Sequence, residues 1–150
     1  MDLTLQKATE LGVIMFRPVF TARTEVRLNE KKVVTRLAHW QKVVVSACEQ
    51  SGRARIPEIA RPVELMSWAE RVTDTGRVML VPGAKESLNS VLPGNNFELL
   101  AGPEGGLDEK EVAQLERLGV RPVSLGPRTL RTETAGPAAI AILQALAGDM

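Results

Sequence analysis

The chain has 150 residues, 44% of them hydrophobic and 25% charged, with a formal net charge of +1. That length suits one domain with a real core, and that composition suits a soluble globular chain rather than a disordered or membrane-spanning one. So small a net charge does not mark a nucleic-acid binder by bulk attraction, and 3% aromatics with no tyrosine exclude a base-stacking sheet.

The first residues, Met1 to Lys7, are polar and periodic, unlike a signal peptide. A cytoplasmic home is the default. Cys48 is the single cysteine, which excludes an intramolecular disulfide and a cysteine-rich metal site. His39 is the single histidine and argues against zinc catalysis. No metal is expected.

In chain order, Leu3 to Leu11 reads as a short helix stopped by Gly12. Val13 to Phe16 is an apolar run that predicts a buried strand. A mixed loop from Arg17 to Asn29 follows. Lys31 to Gln50 is the longest predicted helix, with Val33, Leu37, Trp40, Val44 and Cys48 on one apolar stripe and Gly52 at its C-terminal cap. Pro62 opens a predicted helix over Val63 to Arg71. Val78 to Val81 and Phe97 to Ala101 read as strands, ended by Pro82-Gly83 and Gly102-Pro103. Asp108 and Glu111 form a capping box before a helix to Leu118, closed by Gly119. Val120 to Leu125 is the next strand, and Ala138 to Ala147 the last helix.

Helices alternate with short apolar strands. This predicts an α/β fold with a parallel sheet covered on both faces. Ligands of such sheets sit beyond the C-terminal strand ends. The loops at Pro82-Gly83, Gly102 to Gly106 and Gly126-Pro127 should therefore converge on one edge.

Gly102-Pro103-Glu104-Gly105-Gly106 is either a close-approach loop for a ligand or a tight turn before a capped helix. It matches neither a P-loop nor a dinucleotide fingerprint. Glu104 either bonds amides within its own loop or faces a cationic ligand. Arg128 and Arg131 would clamp a phosphate or a polar base; the plain alternative is surface charge, which a helix N-terminus disfavours. Glu133 and Thr134 suit that N-terminus as capping residues or as substrate contacts. Arg17, Arg23, Arg27, Arg53, Arg55 and Arg61 crowd the first half, as a phosphate-contacting or simply solvated surface. His39 reads as structural or surface, and Trp40 and Trp68 as core.

Several segments together resemble RsmE-type enzymes, the 16S ribosomal RNA uridine-N3 methyltransferases of the SPOUT superfamily. They are Glu10-Leu11-Gly12-Val13, Pro18, Arg23, Trp40-Gln41-Lys42, Glu49-Gln50-Ser51, Arg53, Ile56-Pro57, Ile59, Gly102 to Gly106 and Leu125 to Ala135. The resemblance covers essentially the whole chain in order. It implies a parallel α/β fold whose C-terminal segment threads into a deep trefoil knot, and an active site straddling a homodimer interface. It implies S-adenosylmethionine (SAM) as methyl donor, held by Leu80, Pro82, Gly83, Leu100, Gly102, Pro103, Glu104, Gly105, Gly106, Leu125, Gly126, Arg128, Leu130 and Thr134. Arg131, Thr132 and Glu133 would lie at the target uridine. Arg23, Arg53 and Arg55 would contact phosphates of 16S ribosomal RNA, or of the small ribosomal subunit.

The family normally carries an N-terminal PUA-like RNA-binding domain. Residues 1–150 correspond to its catalytic domain alone. Gly136-Pro137 stands where alanines or leucines are expected, and a proline in a first helical turn does little harm. Other readings are a SPOUT enzyme acting on tRNA or ribose 2′-oxygen, a non-catalytic SAM- or RNA-binding assembly module, and an ordinary nucleotide-binding domain. Leu130-Arg131-Thr132-Glu133-Thr134 replaces the final motif of the ribose-methylating relatives and counts against the first of these.

Overall fold

The computed structural model describes residues 1–24, 29–90, 96–148 and 150. Arg27 lies outside the described residues.

The first helix, α1 (Asp2–Glu10), ends against Gly12, whose φ of +93° only glycine adopts without strain. The expected strand over Val13 to Phe16 shrinks to β1 (Met15–Phe16), and Ile14 is 73% exposed rather than buried. Next come β2 (Val19–Phe20), α2 (Glu30–Ser51), β3 (Glu58–Ile59), β4 (Val63–Glu64) and α3 (Leu65–Ala69). β1 pairs with β3, and β2 with β4, both in parallel. The helix expected from Val63 therefore starts two residues later, because Val63 and Glu64 belong to a strand. Pro62 precedes that strand and opens no helix.

α2 matches its pattern. Val33, Trp40, Val44 and Cys48 are buried, and Leu37 packs against them. Asn29 caps its start by accepting the Lys32 N–H at 3.0 Å. Gly52 caps its end in the left-handed conformation, donating to Cys48.

The second half is the main layer. It runs β5 (Gly76–Leu80), a 3₁₀ turn (Leu88–Ser90), β6 (Phe97–Leu100), α4 (Glu109–Arg117), β7 (Arg121–Val123) and α5 (Thr132–Ala147). The sheet order is β6-β5-β7, all parallel, with Met79 opposite Leu100 and Leu80 opposite Val123. Successive strand residues face opposite sides. Val78 packs with Leu88, Val123, Ala139 and Leu143 below α5, while Met79 packs with Leu65, Trp68, Leu100 and Leu115 on the other face. Both are essentially inaccessible, so the central strand is covered on both sides, as its unbroken apolar run predicts. Each such buried side chain contributes about 1.5–3 kcal/mol.

α5 begins at Thr132, not at Ala138, and Pro137 lies inside it beyond the first turn. The proline removes the N–H that would bond the Glu133 carbonyl. Close packing against α1 accompanies this: Gly136 is buried, and a Cβ there would stand 3.6 Å from Thr4 Cγ2. No helix among the described residues is long and apolar enough to cross a membrane.

Candidate active site

Because β5, β6 and β7 run parallel, their C-terminal ends share one edge. A cavity of about 770 Å³ opens there. Leu80 to Pro82 line it from β5, Ala101 to Gly106 from β6, and Val123, Leu125 and Gly126 from β7. The chain from Arg128 to Glu133, with Ala135, completes the wall. The three loops converge as the strand pattern predicts.

Short backbone bonds hold the loops. Val81 N–H donates to the Val123 carbonyl at 2.9 Å, and Ala84 N–H returns to the Val81 carbonyl at 3.1 Å. Gly106 N–H donates to the Pro103 carbonyl at 2.8 Å, with Gly106 at φ +68°. This is a turn whose third and fourth residues, Gly105 and Gly106, add no side-chain bulk to the wall.

Three residues expected at the cofactor do not themselves line the cavity. Gly83 shapes the turn after β5 at φ +77°, Leu100 is 5% exposed in the core, and Thr134 is exposed with its N–H on the Arg131 carbonyl. Val123 and Ala135 line the cavity without having been expected there, while Val81, Ala101 and Thr129 lie within the loops expected to hold the cofactor. The place of Val123 at the end of β7 was the available signal for it, whereas Ala135 stands in the first turn of α5.

Arg131 is the N-cap residue of α5, and no side chain caps that end. Its guanidinium is 87% exposed and 3.9 Å from Glu133 Oε1. Arg128 is exposed on the same rim. The Glu104 carboxylate bonds to no other described residue, so it does not brace its own loop through amides; the bond from Gly106 N–H to the Pro103 carbonyl does. Among the described residues, no group of three or more His, Cys, Asp or Glu stands together as metal ligands would.

A family described as an RNA methyltransferase domain matches residues 1–144. The chain belongs to that family. Ribosomal RNA small subunit methyltransferase E of Buchnera aphidicola (from Schizaphis graminum) is 37% identical, across 100% of this chain and 62% of its own length. The Bacillus subtilis enzyme of the same name is 34% identical over 90% of this chain and 57% of its own. The chain thus spans about three fifths of the relatives it matches. The Neisseria gonorrhoeae methyltransferase E, solved bound to S-adenosyl methionine, superposes with a TM-score of 0.90 at 38% identity, covering 97% of this chain and 60% of that one. A Legionella pneumophila protein solved with bound SAM superposes with a TM-score of 0.94 at 36% identity, covering 100% of this chain and 62% of that one. The likeness to RsmE-type enzymes expected from the sequence is borne out.

Within this RNA methyltransferase domain, the arginines expected at RNA divide. Arg53 is turned inward. Its Nη1 donates to the carbonyls of Thr9 at 2.6 Å and Val13 at 2.8 Å, and its Nη2 reaches Gly12 at 3.4 Å. It ties the Thr9 carbonyl in the last turn of α1 to those of Gly12 and Val13 just beyond the helix, a structural role that the sequence did not announce. Arg23 donates through Nη1 to the Gly105 carbonyl. Arg55 is exposed, and its guanidinium bonds to no other described residue. His39 bonds Asp2 at 2.6 Å, a surface link between α1 and α2 that holds the Asp2 carboxyl below its usual range, mainly through that hydrogen bond. Trp40 and Trp68 are core residues, 6% and 4% exposed.

Proposed function

We propose that this chain is the catalytic domain of a SAM-dependent enzyme that methylates N3 of a uridine in small-subunit, 16S ribosomal RNA. The observation that carries the reading is the cavity in which the Gly102–Gly106 turn meets the Arg128–Glu133 segment. The names of the relatives and the SAM bound to two structural neighbours support it. The finer expectations go with it: the SPOUT class, a C-terminal knot and a cytoplasmic home. A homodimer is also part of the reading. α1 and α5 pack together and leave Leu3 and Leu146 49% and 45% exposed, apolar surface that a second copy would cover.

The cavity wall fits the proposed donor. Leu80, Pro82, Leu125 and Leu130 would supply apolar contact to it, and the glycine turn would offer backbone groups to its polar atoms. When bound, SAM supplies an electrophilic methyl on a sulfonium, with a neutral thioether as leaving group. The chain's part is orientation, exclusion of water and control of one proton. Uridine N3 is a poor nucleophile while protonated. Arg131, an exposed cation at the mouth of the cavity, stabilises the uracil anion through a carbonyl oxygen as N3 loses its proton. Glu133 orients Arg131 through their ion pair or accepts that proton. Thr132 sits between them on the same wall. The uridine must be unpaired or flipped to enter. Arg55 is the candidate phosphate contact.

The test is methylation of small-subunit RNA followed by mapping of the modified nucleoside. N3-methyluridine is the expected product. Arg131→Ala should lower turnover about 10²–10³-fold, the range for loss of one anion-stabilising donor, with SAM affinity retained. Turnover unchanged by that substitution overturns the role of Arg131.

A further inference from the structure

We infer that Arg23 is a positioning residue for the cavity's glycine turn, a clasp that fixes the turn from outside rather than a contact to RNA. The inference deepens the reading of this cavity as the SAM site and rests on it for its consequence.

The clasp is built from the residues upward. Thr21 and Thr24 close a small turn: Thr21 N–H donates to Thr24 Oγ1 at 2.8 Å, and Thr24 N–H to the Thr21 carbonyl at 3.1 Å. Thr21 is only 6% exposed, so the turn is anchored. It presents Ala22 and Arg23 to the loop between β6 and α4. Ala22 N–H donates to Glu111 Oε1 at 2.6 Å, and the other oxygen of that carboxylate accepts the Asp108 N–H at 2.9 Å. One glutamate thus joins the Thr21–Thr24 turn to the start of α4. Arg23 adds a second tie. Its Nη1 donates to the Gly105 carbonyl, and its Nη2 stands 3.8 Å from Asp108 Oδ2. Its aliphatic stem lies along Gly105, where a Cβ would meet Arg23 Cδ at 3.4 Å.

The turn needs such a tie. Gly105 and Gly106 are free to take many conformations, and ordering each backbone costs about 1–2 kcal/mol. Within the turn, Gly106 N–H to the Pro103 carbonyl is the backbone bond that holds it. The Arg23 bond comes from 82 residues away and meets the carbonyl between the two glycines' amides. An exposed ion pair such as Arg23–Asp108 does little alone. A guanidinium on a carbonyl is a stronger, charge-assisted bond. With Nη1 on Gly105 and Nη2 facing Asp108, Arg23 is poorly placed to hold phosphate.

The experiment combines amide hydrogen exchange of the free protein with calorimetric SAM titration, for the unaltered chain, Arg23→Ala and Arg23→Lys. Arg23→Ala should speed exchange at residues 105–107 and weaken SAM binding about tenfold, the scale of a lost hydrogen bond to a charged group. Arg23→Lys should recover part of both, because an ammonium reaches one acceptor but not the fork of two. Arg23 is half exposed, so both variants should fold. Unchanged exchange at residues 105–107 overturns the clasp. So does a variant that loses RNA affinity while its SAM binding and exchange stay as they were. Exchange is read without ligand; if the unaltered chain binds no SAM, the cofactor reading falls while the exchange result still decides the clasp.

Discussion

Gly12 and Gln144 meet in the space that a Cβ would fill: a methyl at position 12 would stand 2.2 Å from Gln144 Nε2. That nitrogen donates to the Leu11 carbonyl at 2.8 Å and ties the last helix to the end of the first. Gly12→Ala would both strain a backbone at φ +93° and push Gln144 aside. We expect a loss of about 1–3 kcal/mol, which lowers the melting temperature by about 2–4 °C per kcal/mol. Calorimetric melting decides it, and an unshifted transition would show that the contact relaxes at no cost.

Arg53 and Arg55 should behave oppositely, although only Ala54 separates them in the sequence. Arg53→Ala strips the carbonyls of Thr9, Gly12 and Val13 of their shared donor. It should cost about 1–3 kcal/mol of stability, with the salt slope of RNA binding unchanged. Arg55→Ala should leave melting alone and reduce that slope by about one unit. Equal slopes for Arg55→Ala and the unaltered chain remove it from the phosphate contacts.

The contrast shows what the sequence disclosed. An arginine in a loop carries no mark of whether its partner is a phosphate or a carbonyl 40 residues away, as Val13 is from Arg53. The long stripe of α2 and the Asp108–Glu111 capping box were legible because their signals are local and repeat within a few residues. β2 to β4 were not, since two-residue strands have no room for alternation, and β1 was legible only as part of a longer apolar run. Gly136-Pro137 concealed the first turn of α5, because that pair reads as a helix breaker unless packing against α1 is known. The cavity was legible as a place, from glycine and proline at three parallel strand ends. The division between wall residues and those behind the wall, such as Leu100, depends on tertiary packing.

Glu98 holds a partly buried cluster together. It accepts Trp68 Nε1 and Arg71 Nη2, each at 2.7 Å, and lies 3.5 Å from Arg77 Nε. The Arg77 side chain is 5% exposed and its guanidinium stands 5.0 Å over the Trp68 ring. Glu98→Ala leaves that cation without its carboxylate. The expected cost is about 3–5 kcal/mol, well above that of a surface pair. Denaturant unfolding measures it, and a loss comparable to Asp2→Asn would contradict this.

Asp2 and His39 give a small pH dependence. The folded-state pKa of Asp2 is depressed, chiefly by its hydrogen bond to His39. Its stabilisation is therefore present above the unfolded carboxylate pKa of about 3.9 and is lost as pH falls through the lower folded value. Asp2→Asn should melt below the unaltered chain near pH 5 and converge with it in stronger acid. Both side chains are half exposed, so the gap is small. A gap that widens in acid contradicts the assigned sign.

The central claim is that the cavity at the sheet edge holds SAM, and calorimetric titration of this chain with SAM, with ATP as control, tests it most directly. The account predicts saturable binding of SAM without comparable binding of ATP. A folded sample that binds neither, or binds both alike, contradicts it.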